Sequence, residues 1–400
     1  MNITRYYTQL TFLILFLCIP LISPAQSDSI RKPKIVSRHL WALQTVYQNG
    51  YVFATNPFLK GINTESEKIK AYQALSVKLS LQTIGKKSWE QLYYYPQYGV
   101  GLYVADFYNP EEIGVPLAVY EFFNAPFKRW DKLTFNYEIG FGAAFNWKAY
   151  NPVTNQYNVA IGAGESFLID AGLYLEYLLT KRLEFAAGFS MTHFSNGALR
   201  KPNFGINTFA PKVSLKYNFF DKPVFARQAI QKYIPENEWL ISAYGGIKNV
   251  IFDSVSLPVL EKYEGLYFPV FGISGAFNRQ VSHKSKIGFG ATLSYNGTVN
   301  AQAAVENNEL DAVDGKFNDK ILLSIYPSYE LVIHKASLII QPAFYIYRKK
   351  LINQSPVFHQ RIGLKYHITD HIFIGITLVD YKFHVSDFIE WNLGYRIKWN

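Results

Sequence analysis

The chain has almost no cysteine. Its single thiol, Cys18, sits inside an apolar N-terminal run. Arg5 gives that region a short positive start, "LTFLILFLCIPLI" (10–22) follows, and Ser23-Pro24-Ala25 closes it with small residues before Gln26. This order reads as a secretory signal peptide over 1–25, to be removed from the mature chain. The run is too short and too poorly flanked to be a transmembrane helix. Leu17 stands where a lipoprotein cleavage box wants a small residue. The exported chain would then carry no thiol, which excludes cysteine nucleophiles, disulfides and Cys-based zinc sites. Long hydrophobic runs are also missing. Beyond the signal segment no stretch has the roughly 18 consecutive apolar residues of a membrane-spanning helix, so a helical membrane protein is not expected. Low-complexity Ser- or Pro-rich segments are absent as well.

Aromatic residues are what the chain has in excess. They make up 17% of it, 30 Tyr and 31 Phe against 2 Met. That suits a β protein whose rings sit at membrane–water interfaces. The net charge of +10 points to anionic partners. For an exported chain these are expected to be lipid phosphates and not nucleic acid.

Period-2 segments recur, with turn residues between them. Over 183–191 one face carries Leu183, Phe185, Ala187, Phe189 and Met191, and the other Glu184, Ala186, Gly188 and Ser190. Over 167–179 the split is Phe167, Ile169, Ala171, Leu173, Leu175, Tyr177 and Leu179 against Asp170, Gly172, Tyr174 and Glu176. The last segment sets Trp391, Leu393, Tyr395, Ile397 and Trp399 against Glu390, Asn392, Gly394, Arg396 and Lys398. A soluble sandwich also alternates, but its strands average about five or six residues. These run longer, matching the roughly 9–11 residues of a tilted strand that crosses a bilayer. Small and charged residues on the second face suit a polar lumen. The fold class expected is all-β, an antiparallel transmembrane barrel of the outer-membrane type.

About eight strands fit into 38–220 and eight more into 239–399. The expected division is a signal peptide (1–25), a barrel half with the candidate site (26–220), a polar connector "DKPVFARQAIQKYIPENE" (221–238) and a second barrel half (239–400). The halves look faintly repeated. "IGFGA" occurs at 139–143 and 287–291, and "YLEYLLTKRLEF" (174–185) lines up with "SYELVIHKASLI" (328–339) if a short insertion is allowed. That register pairs Glu176 with Glu330 and sets His193 and Ser195 against Tyr347 and Lys349, so only the first half keeps a candidate site. Termini on one side of the membrane require an even strand number. One barrel of about 16 strands or two of about eight both comply. Tandem barrels are rare, so the reading leans to one.

The chemistry is concentrated in "EFAAGFSMTHFSNGALRKPNFGIN" (184–207). Continuing its alternation puts His193 and Ser195 on the apolar, lipid-facing side. The next strand, "NTFAPKVSLKYNF" (207–219), has Phe209, Pro211, Val213, Leu215, Tyr217 and Phe219 on its apolar face, and Asn207 starts that face. Three polar residues at the ends of two adjacent strands thus point outward, where they do nothing for stability. Serine is a weak nucleophile that needs a neighbouring base, and His193 can take its proton. Asn207 can accept a hydrogen bond from the other ring nitrogen and fix the tautomer. Asn196 and the backbone N–H groups around Gly197 are the candidates to stabilise an oxyanion. Residues two apart on a strand leave the Cα atoms of His193 and Ser195 roughly 6.5–7 Å apart, so their side chains must lean together. The plain alternative is a polar loop edge where a strand leaves the membrane.

"HFSNG" (193–197) followed by Asn207 resembles the active-site segment of the lipid A 3-O-deacylase (PagL) and acyloxyacyl hydrolase family, outer-membrane barrels that cut an acyl ester from lipid A. The resemblance covers about residues 70–220, with specific motifs at 190–210. It implies His193 as base, Ser195 as nucleophile and Asn196 at the oxyanion. It departs from the family where Asn207 stands in place of an expected Glu, and in the second half, which small members lack. The site motif also resembles outer-membrane phospholipase A, which carries H-x-S-N-G with a following Asn and acts as a Ca²⁺-dependent dimer. The loop "ALRKPNFGI" (198–206) holds no Asp or Glu for such an ion, so the deacylase is preferred and no cofactor is expected. Arg200 and Lys201 lie where lipid A phosphates sit and could dock them, or they are solvated loop charges. His367 and His371 in "KYHITDHIF" read as hairpin polarity, and "GAGES" (162–166) as a loop without a nucleophile elbow. The rival readings are a channel or surface anchor, and a soluble hydrolase of periplasmic lipids.

Overall fold

The computed structural model describes residues 40–223, 225, 230, 233–251, 256–311, 315–351, 355–381 and 385–399. The signal segment expected over 1–25 lies outside them. The first eight strands are β1 (Leu40–Val52), β2 (Ala71–Gln82), β3 (Gln97–Asp106), β4 (Gly114–Arg129), β5 (Leu133–Trp147), β6 (Ser166–Leu178), β7 (Leu183–Ser195) and β8 (Ile206–Asn218). They form a closed antiparallel barrel in chain order. Ala42 opposite Asn218 and Thr45 opposite Leu215 bring β8 back onto β1. A second set follows: β9 (Asn237–Lys248), β10 (Phe268–Ser282), β11 (Ser285–Asn296), β12 (Ile321–Ile333), β13 (Ala336–Tyr347), β14 (Phe358–His367), β15 (Ile372–Tyr381) and β16 (Val385–Trp399). It closes through β16 on β9, with Trp391 opposite Gly245.

The lean towards one large barrel is therefore corrected: there are two barrels of eight. Both arrangements have even strand number and no free edge, so alternation alone cannot separate them. Pairing of β8 with β1, far apart in sequence, decides it. The repeated segments are also out of step with a simple copy. "IGFGA" lies on the fifth strand of the first barrel and the third of the second, while Glu176 and Glu330 lie on the sixth and fourth.

Alternation along each strand matches the sequence pattern. On β8, Phe209, Val213, Leu215 and Tyr217 are exposed while Thr208, Ala210, Lys212, Ser214 and Lys216 are buried. This outer apolar face is the lipid-facing surface of a membrane barrel. No helix among the described residues is long and apolar enough to cross a membrane. One end of each barrel carries mostly short turns, 83–96 excepted, and the other carries most of the long connections, including 53–70, 148–165 and 196–205, which marks the latter as the outer end.

The polar face of the first barrel closes on itself. Glu138 pairs with Lys78 and Lys212. Nearer the short-turn end, Lys216 meets Glu176 at 2.6 Å and Glu184 at 3.2 Å, and Lys222 reaches Glu184 at 2.9 Å. Towards the outer end the interior turns aromatic: Tyr72 stacks on Phe107, and Phe194 packs against Tyr103, Phe107 and Trp147. Glu138→Ala takes from two buried lysines the carboxylate that both are paired with. Such a loss costs about 3–5 kcal/mol. The variant should lose its heat-modifiable gel mobility at a lower temperature than wild type, and an unchanged midpoint would show that these pairs do not hold the barrel.

Candidate active site

The site grows from the outer ends of β7 and β8. His193 and Asn207 are direct cross-strand partners in the register of this pair. Side chains so placed stand about 5 Å apart at Cβ, within reach of one hydrogen bond. His193 Nδ1 lies 2.7 Å from Asn207 Oδ1. With the amide oxygen facing the ring, Nδ1 carries the proton and Nε2 presents its lone pair.

Both residues stay in phase with the lipid-facing side chains below them, Met191 and Phe189 on β7 and Phe209 on β8, and both are half-buried. Ser195 follows the same alternation but is only 8% exposed. The loop 196–205 explains the difference, because it folds back over the strand end. Asn203 donates from Nδ2 to Ser195 Oγ at 2.7 Å, and its Oδ1 accepts the Asn196 N–H at 3.2 Å. Asn203 lies in the loop, outside any periodic segment, and sequence reasoning passed over it. The only sequence signal was an Asn eight residues past a candidate nucleophile.

The remaining candidates fall in the same loop. Asn196 is buried and donates from Nδ2 to the Arg200 carbonyl at 2.8 Å, which spans the loop. Gly197 follows with φ +63°, in the left-handed region glycine favours. Arg200 and Lys201 are exposed at the loop's outer side. So the structure gathers His193, Ser195, Asn203 and Asn207, holds Asn196 beside them through backbone and side chain, and sets the two cations at the rim. His367 ends β14, and His371 lies in the turn before β15, a hairpin as the sequence indicated. No cluster of three or more metal-ligating side chains occurs among the described residues.

The site is anchored from several directions. Phe194, between His193 and Ser195, points inward and is fully buried in the aromatic cluster. Phe53 donates its N–H to the Asn207 carbonyl at 2.9 Å. The Gly205 N–H bonds the Ala160 carbonyl at 2.9 Å, and the Gly205 carbonyl accepts from Asn56 Nδ2 at 3.1 Å. The "GAGES" loop presses close here, since a Cβ on Gly162 would lie 2.3 Å from the Pro202 carbonyl oxygen. Gly205 itself has φ +72°, and a Cβ there would sit 2.9 Å from Phe194 O, 3.0 Å from His193 Cε1 and 3.6 Å from Ser195 Cβ. His193 and Ser195 thus converge on one glycine. Gly205→Ala should displace the imidazole while leaving the barrel closed. A misplacement on the scale of 1 Å can cost about a hundredfold in rate. Wild-type activity in that variant would show the ring has room to spare.

This arrangement can do nucleophilic acyl chemistry: a hydroxyl, an oriented imidazole two residues away, and an amide donor already on the hydroxyl oxygen. Residues 73–216 match the family described as lipid A 3-O-deacylase (PagL). Residues 237–399 match the family described as acyloxyacyl hydrolase, C-terminal domain. No curated protein matches the chain in sequence. Among solved structures, the outer membrane enzyme PagL is similar at 18% identity, over 43% of this chain and 97% of that one, with a TM-score of 0.28. Neisserial surface protein A (NspA) is similar at 9% identity, over 45% of this chain and 97% of that one, with a TM-score of 0.28. The toluene transporter TodX from Pseudomonas putida is similar at 9% identity, over 90% of this chain and 88% of that one, with a TM-score of 0.16.

Proposed function

We propose that this chain, whose first barrel belongs to the lipid A 3-O-deacylase (PagL) family, removes an ester-linked acyl chain from lipid A in the outer membrane. The observation that carries the reading is the His193–Asn207 pair on the lipid-facing side of β7 and β8, with Ser195 two residues on and Asn203 bonded to its Oγ. A hydrolase site opening sideways to lipid fits a substrate that never leaves the membrane.

In this mechanism Ser195 Oγ attacks the ester carbonyl while His193 Nε2 takes the hydroxyl proton. The carbonyl becomes an oxyanion. Asn203 Nδ2, already beside Oγ, then donates to it, and the backbone N–H groups of Gly197 and Ala198 are the further donors. His193 returns the proton to the departing sugar hydroxyl as the C–O bond breaks. Water, deprotonated by the same imidazole, next hydrolyses the acyl-enzyme and frees the fatty acid. The acyl chain runs down over Met191, Phe189 and Phe209, whose last two rings stack at 5.6 Å. Arg200 and Lys201 face the phosphates of the headgroup.

Asn203→Ala should lower kcat about 10²–10³-fold with little change in KM, the usual loss for one oxyanion donor. A change in KM alone would move Asn203 out of the chemistry. Asn207, an amide in place of the carboxylate its family implies, favours phospholipase A chemistry as the second reading. Mass spectrometry of lipid A and phospholipids from cells expressing wild type or Ser195→Ala separates the two. Lipid A lacking one ester-linked chain, only with wild type, supports the deacylase, and lysophospholipid supports the phospholipase. Profiles equal to the empty vector, with the barrel folded in the outer membrane, overturn both.

A further inference from the structure

The outer rim of the second barrel is divided by charge. One part is acidic. The helix Leu257–Tyr263, between β9 and β10, packs on the helix Val299–Asn307, between β11 and β12, through Val259, Tyr263, Ala301, Ala304 and Val305. Among the described residues of 249–267 and 297–311, Glu261, Glu264, Glu306, Glu309 and Asp311 stand against Lys262 alone. The other part is basic. Among the described residues of 315–320 and 348–357, Lys316, Lys320, Arg348, Lys349 and Lys350 stand against Asp319 alone.

Two of these cations are engaged within the protein. Arg348 donates from Nη1 to the Ser355 carbonyl at 2.6 Å inside its own connection. Lys349 pairs with Asp319 at 2.9 Å, which ties the β11–β12 and β13–β14 connections together. Lys316 and Lys350 are exposed on either side of that tie, and Lys320 is half-buried. Lys320 sits one residue before β12, with its Nζ 5.9 Å from the ring centre of Tyr295 on β11.

An apolar ledge lies at the same strand ends. Tyr295 stacks on Phe271 of β10 with ring centres 4.8 Å apart, and Phe317 lies 6.1 Å from Tyr295. Phe317 is 68% exposed, so it is no part of a core. On β13 a bulge at Ile346 leaves Ile346 and Tyr347 exposed side by side. Cations above exposed rings, confined to one sector of a membrane rim, suit a ligand with phosphate at its head and hydrocarbon beneath. The acidic helices of the other sector would repel the same head.

We propose that the rim over β11, β12 and β13 docks a lipid A molecule. Lys316, Lys320 and Lys350 meet its phosphates as point charges, and its acyl chains lie over Phe271, Tyr295 and Phe317. The inference rests on the outer-membrane placement and not on the ester chemistry, because none of its residues lies in the first barrel.

The test is photo-crosslinking of the full chain in phosphatidylcholine nanodiscs, with Ser195→Ala so that the probe is not consumed. The probe is lipid A carrying a diazirine on one acyl chain, and labelled peptides are mapped by mass spectrometry. Labels should appear at Phe271, Tyr295 and Phe317. Unlabelled lipid A should compete for them, and lipid A stripped of its phosphates should not. Lys316→Ser/Lys320→Ser/Lys350→Ser should raise the lipid A concentration for half-maximal labelling about a hundredfold, at about fivefold per lysine. Lys316→Arg/Lys320→Arg/Lys350→Arg should label like wild type. Labelling over Met191 and Phe209 in the first barrel should not change in either variant. Its absence in all of them would count against the esterase reading and leave this one standing. Heat-modifiable mobility checks that each variant is folded. A folded serine variant that labels like wild type, an arginine variant no better than the serine one, or phosphatidylglycerol competing as strongly as lipid A overturns the proposal.

Discussion

Ser195→Ala and His193→Ala are each expected to abolish acyl release, and the double variant is expected to be no worse than either. A nucleophile and its base act as one unit. Without Oγ there is nothing to deprotonate, and without the imidazole the hydroxyl stays a poor nucleophile at neutral pH. In a comparable serine hydrolase the loss of either partner costs about 10⁴-fold or more in kcat, and losing both adds almost nothing. The same should hold here, measured as fatty-acid release from purified lipid A in detergent micelles. Folding is not at stake. Ser195→Ala removes the hydrogen bond from Asn203 Nδ2, a bond of a kind worth about 1 kcal/mol, and His193 sits on the outer face, away from the packed interior. Retained heat-modifiable mobility in all three variants would confirm that the loss is chemical. Losses that multiply in the double variant would mean the two residues act separately, and the His193 role would have to be abandoned.

How much of this was readable beforehand follows from where each residue lies. His193 and Asn207 are on strands, where side-chain direction has a period of two. Their outward placement could therefore be counted from Met191 and Phe209, and the pairing follows from two adjacent strands joined by one loop. Asn203 and Gly205 lie in a connection with no period, so nothing in the sequence says that the chain folds back over Ser195. The low exposure of Ser195 has the same cause. The inward polar face was legible as a set of residues, but not as pairs. Lys216 with Glu176 crosses from β8 to β6, and Lys78 with Glu138 from β2 to β5. The number of barrels was illegible for a related reason. Closure depends on Ala42 finding Asn218, and a hairpin ladder looks the same locally whether its last strand returns to β1 or runs on.

Asn207 is the residue on which the site's orientation turns, and Asn207→Leu should lower the rate nearly as far as loss of the nucleophile. The amide oxygen holds His193 by Nδ1 at 2.7 Å. An acceptor there does two things: it keeps the proton on Nδ1, so that Nε2 is free to act as base, and it stops the ring from turning about its own bond. When a triad's orienting acceptor is replaced by a group that allows the wrong tautomer, kcat falls about 10⁴-fold even though the geometry survives. Leucine has the same side-chain branching as asparagine, with methyls where the amide has O and N, so a side chain of similar shape stays at the half-buried lipid-facing position, and the Asn207 carbonyl that accepts from Phe53 N–H belongs to the backbone and is untouched. Asn207→Asp provides the control, because a carboxylate still accepts from Nδ1 and should restore most of the activity that leucine removes. A purely structural role for Asn207 predicts the reverse, since a charge facing lipid disturbs folding more than an apolar side chain does. If leucine is tolerated and aspartate is not, His193 takes its orientation from the loop, and the Asn207 contact is a consequence of strand register alone.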